Sequence, residues 1–382
     1  MLNISPDSND VLSPPSLIKS AKSRFASIDG LRGLACLFVV ALHCYTLAGE
    51  FPTPFSFDKI FCNIAYSGVD LFFLLSGFCL AYPILKRGGT RFNWRSYIWK
   101  RASRIFPPYW CTLIICLFVS KIIYIFNVPL LSNTPSLTWN VPPSQFFQYL
   151  LLIRSNEFIL SSWTLPLEWR WYFILPAFLF LLVRLSSLYA IMLSILISIL
   201  CVPVLQSPNV PLRISLVLTQ MPIYLPTFVA GLWVADLIIK KRKSELELIF
   251  VKHSHWFLLA SMIACYLENP KWNVPSTRVI AWMPIFFFLT ISVIFNIHFK
   301  RVFEWQPLVK TGEFSYSLYL IHELPLKIAH TIEGHLNIPD DFKWLFYQFL
   351  IFPCLIAIGY IFFKLVEEPL LSWSRKYKLG TE

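Results

Sequence analysis

Charge is scarce in this chain: only 14% of its 382 residues are Asp, Glu, Lys or Arg, 56% are hydrophobic, and the mean hydropathy is +0.60. That balance excludes a soluble globular domain. Acidic residues are the scarcer sign, 21 against 33 Lys and Arg, for a net charge of +12. Nucleotide-binding loops are absent too: there is no P-loop and no GxGxxG, and the lone "RGGT" at 87–90 is no substitute. The nine cysteines form no CxxC pair and have no histidine at ligand spacing, so neither a metal site nor a disulfide framework is expected. Cys36, Cys44, Cys79 and Cys354 lie in apolar runs and read as small buried hydrophobes. No internal repeat occurs, and no linker is long enough to part soluble domains. Residues 1–27 lack an apolar core, so no cleavable signal is expected and the stretch reads as a disordered cytoplasmic tail.

What the chain has is long apolar runs. Ten of them approach the ~20 residues that cross a bilayer, at 33–49, 60–84, 107–127, 170–185, 187–205, 215–239, 256–269, 279–297, 312–331 and 344–366. Backbone polar groups in lipid must be satisfied within the segment. The expected fold is therefore all-α: a polytopic membrane helix bundle of about ten transmembrane helices with both termini cytoplasmic, spanning 28–370 and followed by a tail at 371–382. "FFQYLLLI" is too short to span and reads as re-entrant or interfacial. The connection at 128–167, with Pro129, Pro135, Pro142 and Pro143, reads as an external loop-rich cap. With the N-terminus inside, 24 of the 33 Lys and Arg fall in cytoplasmic segments, as positive-inside sorting requires. Lipid thus accounts for the positive charge, no nucleic-acid partner is implied, and the expected location is a multi-pass protein of the cell membrane.

Two ionisable groups interrupt the first run, "SIDGLRGLACLFVVALHCYT": Arg32 at its start and His43 deep within it. Eleven helical steps bring His43 to within ~20° of Arg32 and ~16 Å further along the axis. One helix face carries both, which implies an internal cavity, since an ionisable group at that depth costs several kcal/mol in lipid. The plainer alternative is a histidine packed by one hydrogen bond and a snorkelling arginine.

"IDGLRGLACLFVVALH", "GVDLFFLLSGF", "RASRIFPPYW", "SSWTLPLEWRWY" and "FSYSLYLIH" follow in order from residue 24 to a closing "VEEPL". Over nearly its whole length the chain resembles the acyltransferase-3 family of integral-membrane O-acyltransferases. That resemblance implies a ten-helix domain passing an acyl group, commonly acetyl, from cytoplasmic acyl-CoA to a hydroxyl of a glycan, lipid-linked sugar or small molecule. It maps the family's first-span Arg and His onto Arg32 and His43, its paired arginines onto Arg101 and Arg104, and the Glu of W-[ST]-L-x-x-E onto Glu168. Two departures are visible. Trp169 follows Glu168 where many relatives carry a second acid, and no fused hydrolase-like domain is expected, so a second transfer step either requires a partner or does not occur.

The residue types suit the chemistry. Attack of a hydroxyl on a thioester requires removal of its proton, and imidazole titrates near neutral pH, so His43 is the expected general base. A covalent acyl-histidine route stays open. Glu168 is expected to orient the imidazole or bind the acceptor hydroxyl, against the alternative of an interfacial carboxylate pairing with Arg170. The loop "KRGGTRFNWRSYIWKRASR" holds seven basic residues and no acidic one. Arg101 and Arg104 lie one turn apart on one face, able to fork onto the phosphates of acyl-CoA, and with Arg32 they form the expected donor site. Binding to anionic lipid is the alternative. Asp70, Trp163, Tyr172 and His322 are the expected acceptor contacts, with Tyr316, Tyr319 and His322 recurring at helical spacing. The expected partners are acyl-CoA, most simply acetyl-CoA, as co-substrate, a hydroxyl-bearing acceptor and the lipid bilayer. No permanently bound cofactor or metal is expected. The rival class is a proton-coupled transporter using the buried His, Asp and Arg, although no inverted repeat is present.

Overall fold

The computed structural model of the chain describes residues 25–48, 57–88, 93–125, 143–153, 159–184, 186–207, 220–240 and 275–376, with isolated positions 209–210, 218, 255–256 and 259. The described residues form helices and no strand. In chain order these are α1 (Ala26–Ala48), α2 (Phe57–Tyr66), α3 (Gly68–Lys86), α4 (Trp94–Ile125), α5 (Pro143–Leu150), α6 (Thr164–Arg184), α7 (Ser187–Leu205) and α8 (Gln220–Ile239). Then come α9 (Pro275–Phe295), α10 (Ile297–Phe303), α11 (Gln306–Glu313), α12 (Ser315–Ile321) and α13 (Glu323–Leu336). The last stretch holds α14 (Asp340–Leu345), α15 (Phe352–Phe362) and α16 (Glu368–Lys376), joined by π-helical turns at 346–351 and 363–367.

Among the described residues, seven helices are long and apolar enough to cross a membrane: Ala26–Ala48, Ile64–Lys86, Trp94–Ile122, Ser161–Arg184, Ser187–Leu205, Gln220–Ile239 and Asp340–Ser374. The pair Val279–Phe295 and Ile297–Phe303, bent by 98°, supplies an eighth if it counts as one span. Of the other two expected runs, 256–269 falls almost wholly outside the described residues. The run at 312–331 is divided between α12 and α13, of 7 and 14 residues. Pro325 has no N–H to give to the Ile321 carbonyl, so the helical ladder breaks there. Residues 1–24 and 377–382 of the expected tails and half of the 128–167 connection lie outside the described residues, while residues 371–376, expected as tail, complete α16. "FFQYLLLI" is the short helix α5 with its exit, pinned where Tyr109 Oη donates to the Tyr149 carbonyl (2.8 Å) and Trp110 Nε1 to the Leu150 carbonyl (2.9 Å).

Small residues set the closest helix contacts. Gly77 of α3 faces the Phe228 carbonyl of α8, while Gly231 of α8 faces the Leu74 carbonyl of α3, so each backbone fills the space where the other's side chain would stand. α1 is seated in the same way: Gly33 lies on the Leu308 carbonyl of α11, and Gly312 on the Asp29 carbonyl. The outward faces are apolar: Leu188, Met192, Ile199 and Leu200 of α7 are exposed, the pattern of a surface solvated by lipid.

Candidate active site

Five helices bring polar side chains into the middle of this apolar bundle. α1 contributes Arg32, α3 Ser76 and Cys79, α4 Arg101 and Arg104, α6 Thr164, Glu168 and Tyr172, and α12 Ser315, Tyr316 and Tyr319; together with Phe72 and Phe73 they line a cavity of about 110 Å³. The cavity gathers Arg32, Arg101, Arg104, Glu168 and Tyr172, which are scattered over 140 positions of sequence. Ser76 and Cys79 also face it.

Glu168 is held inside this cavity rather than at an exposed interface. Its Oε1 accepts from Ser76 Oγ at 3.0 Å and from Tyr172 Oη at 2.7 Å, the latter one helical turn on. Arg170, its imagined partner, sends Nη2 to the Ile153 carbonyl. Arg101 stacks its guanidinium near the rings of Tyr97 (5.7 Å) and Tyr172 (6.0 Å), a cation–π arrangement that fixes its direction. Arg104 lies within electrostatic range of both Glu168 and Glu367. Glu367 has no assigned role in the sequence reading: it is 1% exposed, sits in the second π-helical turn, and accepts from Ser317 Oγ at 2.5 Å. π-turns are rare and often mark functional positions, and this one places a carboxylate beside the arginines.

His43 is not among the cavity-lining residues. Tyr319, which does line the cavity, holds its ring 6.0 Å from that of His322. α1 and α12 run side by side here, tied by Cys36 Sγ to the Ser315 carbonyl at 3.4 Å. At their far ends His43 Nδ1 and His322 Nε2 approach to 3.3 Å, with ring centroids 5.0 Å apart. His43 Nδ1 is also 2.8 Å from the Val39 carbonyl, and His322 Nδ1 is 2.8 Å from that of Tyr319. A carbonyl only accepts, so both Nδ1 atoms carry the hydrogen. His322 therefore belongs to the histidine pair, not to the cavity wall expected of it.

The remaining expected contacts stand apart from the cavity. Asp70 is fully buried and does not line it; Trp163 packs on Phe73 (6.3 Å) and Tyr224 (5.6 Å). Around the histidine pair, Glu323 accepts from the Ser161 amide and lies 3.7 Å from Lys327, while Tyr319 Oη meets Thr164 Oγ1 at 2.9 Å. Ligand atoms of His43, His322 and Glu323 come within 4.8 Å of one another. The His322 Nε2 lone pair faces the Nδ1–H of His43 and Glu323 is engaged by the Ser161 amide and Lys327, and we assign the cluster no metal.

A bundle of membrane-spanning helices with an arginine-lined interior cavity beside a histidine pair defines a multi-pass membrane protein with an internal polar site. The chain belongs to the acyltransferase-3 family: the family model, described as an acyltransferase domain, matches residues 25–364. It is thereby an acyltransferase. It is similar to acyltransferase MdmB of Streptomyces mycarofaciens, 25% identical over 336 residues that cover 81% of each chain. It is also similar to protein 2 in picA locus of Rhizobium radiobacter, 29% identical over 161 residues, 42% of this chain and 76% of that one. No solved structure matches the chain significantly.

Proposed function

We propose that the protein is a membrane O-acyltransferase that takes an acyl group, in the simplest case acetyl, from cytoplasmic acyl-CoA and passes it to the hydroxyl of a glycan, lipid-linked sugar or small molecule. The observation that carries this reading is the convergence of Arg32, Arg101 and Arg104 on one cavity that Tyr319 also lines, its ring 6.0 Å from that of His322 in the His43–His322 pair. Coenzyme A carries a pyrophosphate and a further phosphate, and guanidinium forks suit them. With the phosphates at the arginines and both chain termini cytoplasmic, the thioester points inward along the cavity toward His43.

His43 then acts as general base. Its Nδ1–H is held by the Val39 carbonyl, which leaves the lone pair on Nε2, an atom with no hydrogen bond among the described residues. Nε2 takes the acceptor's hydroxyl proton as that oxygen adds to the thioester carbonyl. The tetrahedral intermediate collapses with release of the coenzyme A thiolate, which recovers the proton, and the ester remains on the acceptor. Glu168, fixed by Ser76 and Tyr172, has its remaining lone pairs available to the acceptor hydroxyl.

Comparative mass spectrometry of glycans, lipids and small metabolites from cells with the protein, without it, and with His43→Ala tests this. Products heavier by one acyl group are expected in the first alone, with the variant inserted in the membrane at wild-type level. No acylated product in any condition, or the same product with His43→Ala, overturns the reading.

A further inference from the structure

We infer that His322 is a positioning residue for the acyl-transfer base: its Nε2 lone pair accepts the Nδ1–H of His43, fixing the tautomer and ring orientation that expose His43 Nε2. This rests on the proposed role of His43.

The hydrogen bonds of the pair define this arrangement independently of the cavity. His322 is fully buried, and its Nδ1 lies 2.8 Å from the Tyr319 carbonyl and 3.2 Å from that of Leu318. Two carbonyls at one nitrogen require a hydrogen on it, so in the neutral ring Nε2 carries a lone pair and no hydrogen. That lone pair is 3.3 Å from His43 Nδ1, whose hydrogen is shared with the Val39 carbonyl at 2.8 Å. Val39 is four residues before His43, and its carbonyl already belongs to the α1 ladder, so alone it is a weak anchor. His322 arrives from another helix and restrains the ring in a second direction. When His43 takes a proton at Nε2, the developing imidazolium makes the Nδ1–H a better donor, and a fixed acceptor there stabilises it more than it does the ground state.

The reverse assignment fits worse. His322 has both nitrogens engaged and no exposure, whereas His43 is partly exposed with Nε2 open. The break between α12 and α13 falls at His322, and Glu323, the next residue, anchors to the Ser161 amide. The histidine is therefore clamped on both sides, as an orienting group must be.

Side-chain geometry supplies a discriminating pair of variants. A glutamine oxygen lies the same number of bonds from Cα as His Nε2, so His322→Gln can still accept from His43. An asparagine oxygen is one bond short, so His322→Asn, of comparable polarity, cannot. A hydrogen bond to a charged group is worth about 1.5–3 kcal/mol, a factor of roughly 10–100 in rate. We expect His322→Asn to lower kcat by about that factor with donor KM unchanged, and His322→Gln to stay within about fivefold of wild type. All variants, with His43→Ala alongside, are assayed as purified full-length protein, with thermal unfolding as the check on folding. Wild-type kcat in His322→Asn, while His43→Ala is inactive, overturns the inference and leaves the base assignment standing. His322→Gln as inactive as His43→Ala also overturns it, since His322 would then be the base or a merely structural residue. An active His43→Ala refutes the underlying reading instead.

Discussion

At the scale of single residues, burial of ionisable groups proved the most readable signal. Arg32 was identifiable because such a group is costly within an apolar run, and Arg101, Arg104 and Glu168 because the family's motifs map onto them; all four line one cavity. The partner of His43 was not identifiable as such: His322 lies 279 positions away, and only the parallel packing of α1 on α12 brings them together. Ser76 and Glu367 were missed for the same reason, since a serine or a helix-end glutamate has no special sequence context until its neighbours are placed. Glu168 offers a clean test. Glutamine preserves its shape and its contacts with Ser76 and Tyr172 but removes the charge, so Glu168→Gln should raise the acceptor KM by roughly 10- to 100-fold, the worth of one charge-assisted bond. The donor KM should stay within about twofold. Steady-state kinetics with both substrates varied checks this, and equal rises in both KM values would place Glu168 on the donor side instead.

At the scale of elements, long apolar runs announce helices reliably, because lipid leaves the backbone no other solution. Breaks inside such runs are less legible. The run at 312–331 reads as one span by hydropathy, yet Pro325 divides it and leaves His322 at the junction. Close packing also hides in composition: "LSGF" does not reveal that Gly77 meets Phe228, nor that Gly231 meets Leu74. Gly231→Ala puts a methyl into the Leu74 carbonyl and must push α8 off α3, an overpacking that costs about 1–3 kcal/mol. Gly334→Ala, in α13 with open space around it, should gain about 0.5–1 kcal/mol of helix propensity. Thermal unfolding in detergent should therefore show Gly231→Ala below wild type and Gly334→Ala at or slightly above it. Equal midpoints for the two variants would contradict the α3–α8 contact.

At the scale of the whole molecule, sequence reading established a helical membrane bundle and an order of motifs, but not the cavity that unites them. That cavity needs α1, α3, α4, α6 and α12 in one place, and the pairing of helices far apart in the chain leaves little trace in any one of them. In the proposed reading it divides the labour: arginines for an anionic donor, a carboxylate beside them, and the histidine pair next to Tyr319. Binding of acetyl-CoA to the purified full-length protein, measured calorimetrically for wild type, the double variant Arg101→Gln with Arg104→Gln, and His43→Ala, tests this division most directly. The account predicts saturable binding to wild type, binding weaker by at least roughly tenfold in the double variant from loss of two charge-assisted contacts, and undiminished binding to His43→Ala. Equal affinity of wild type and double variant, or no binding to either, would contradict it.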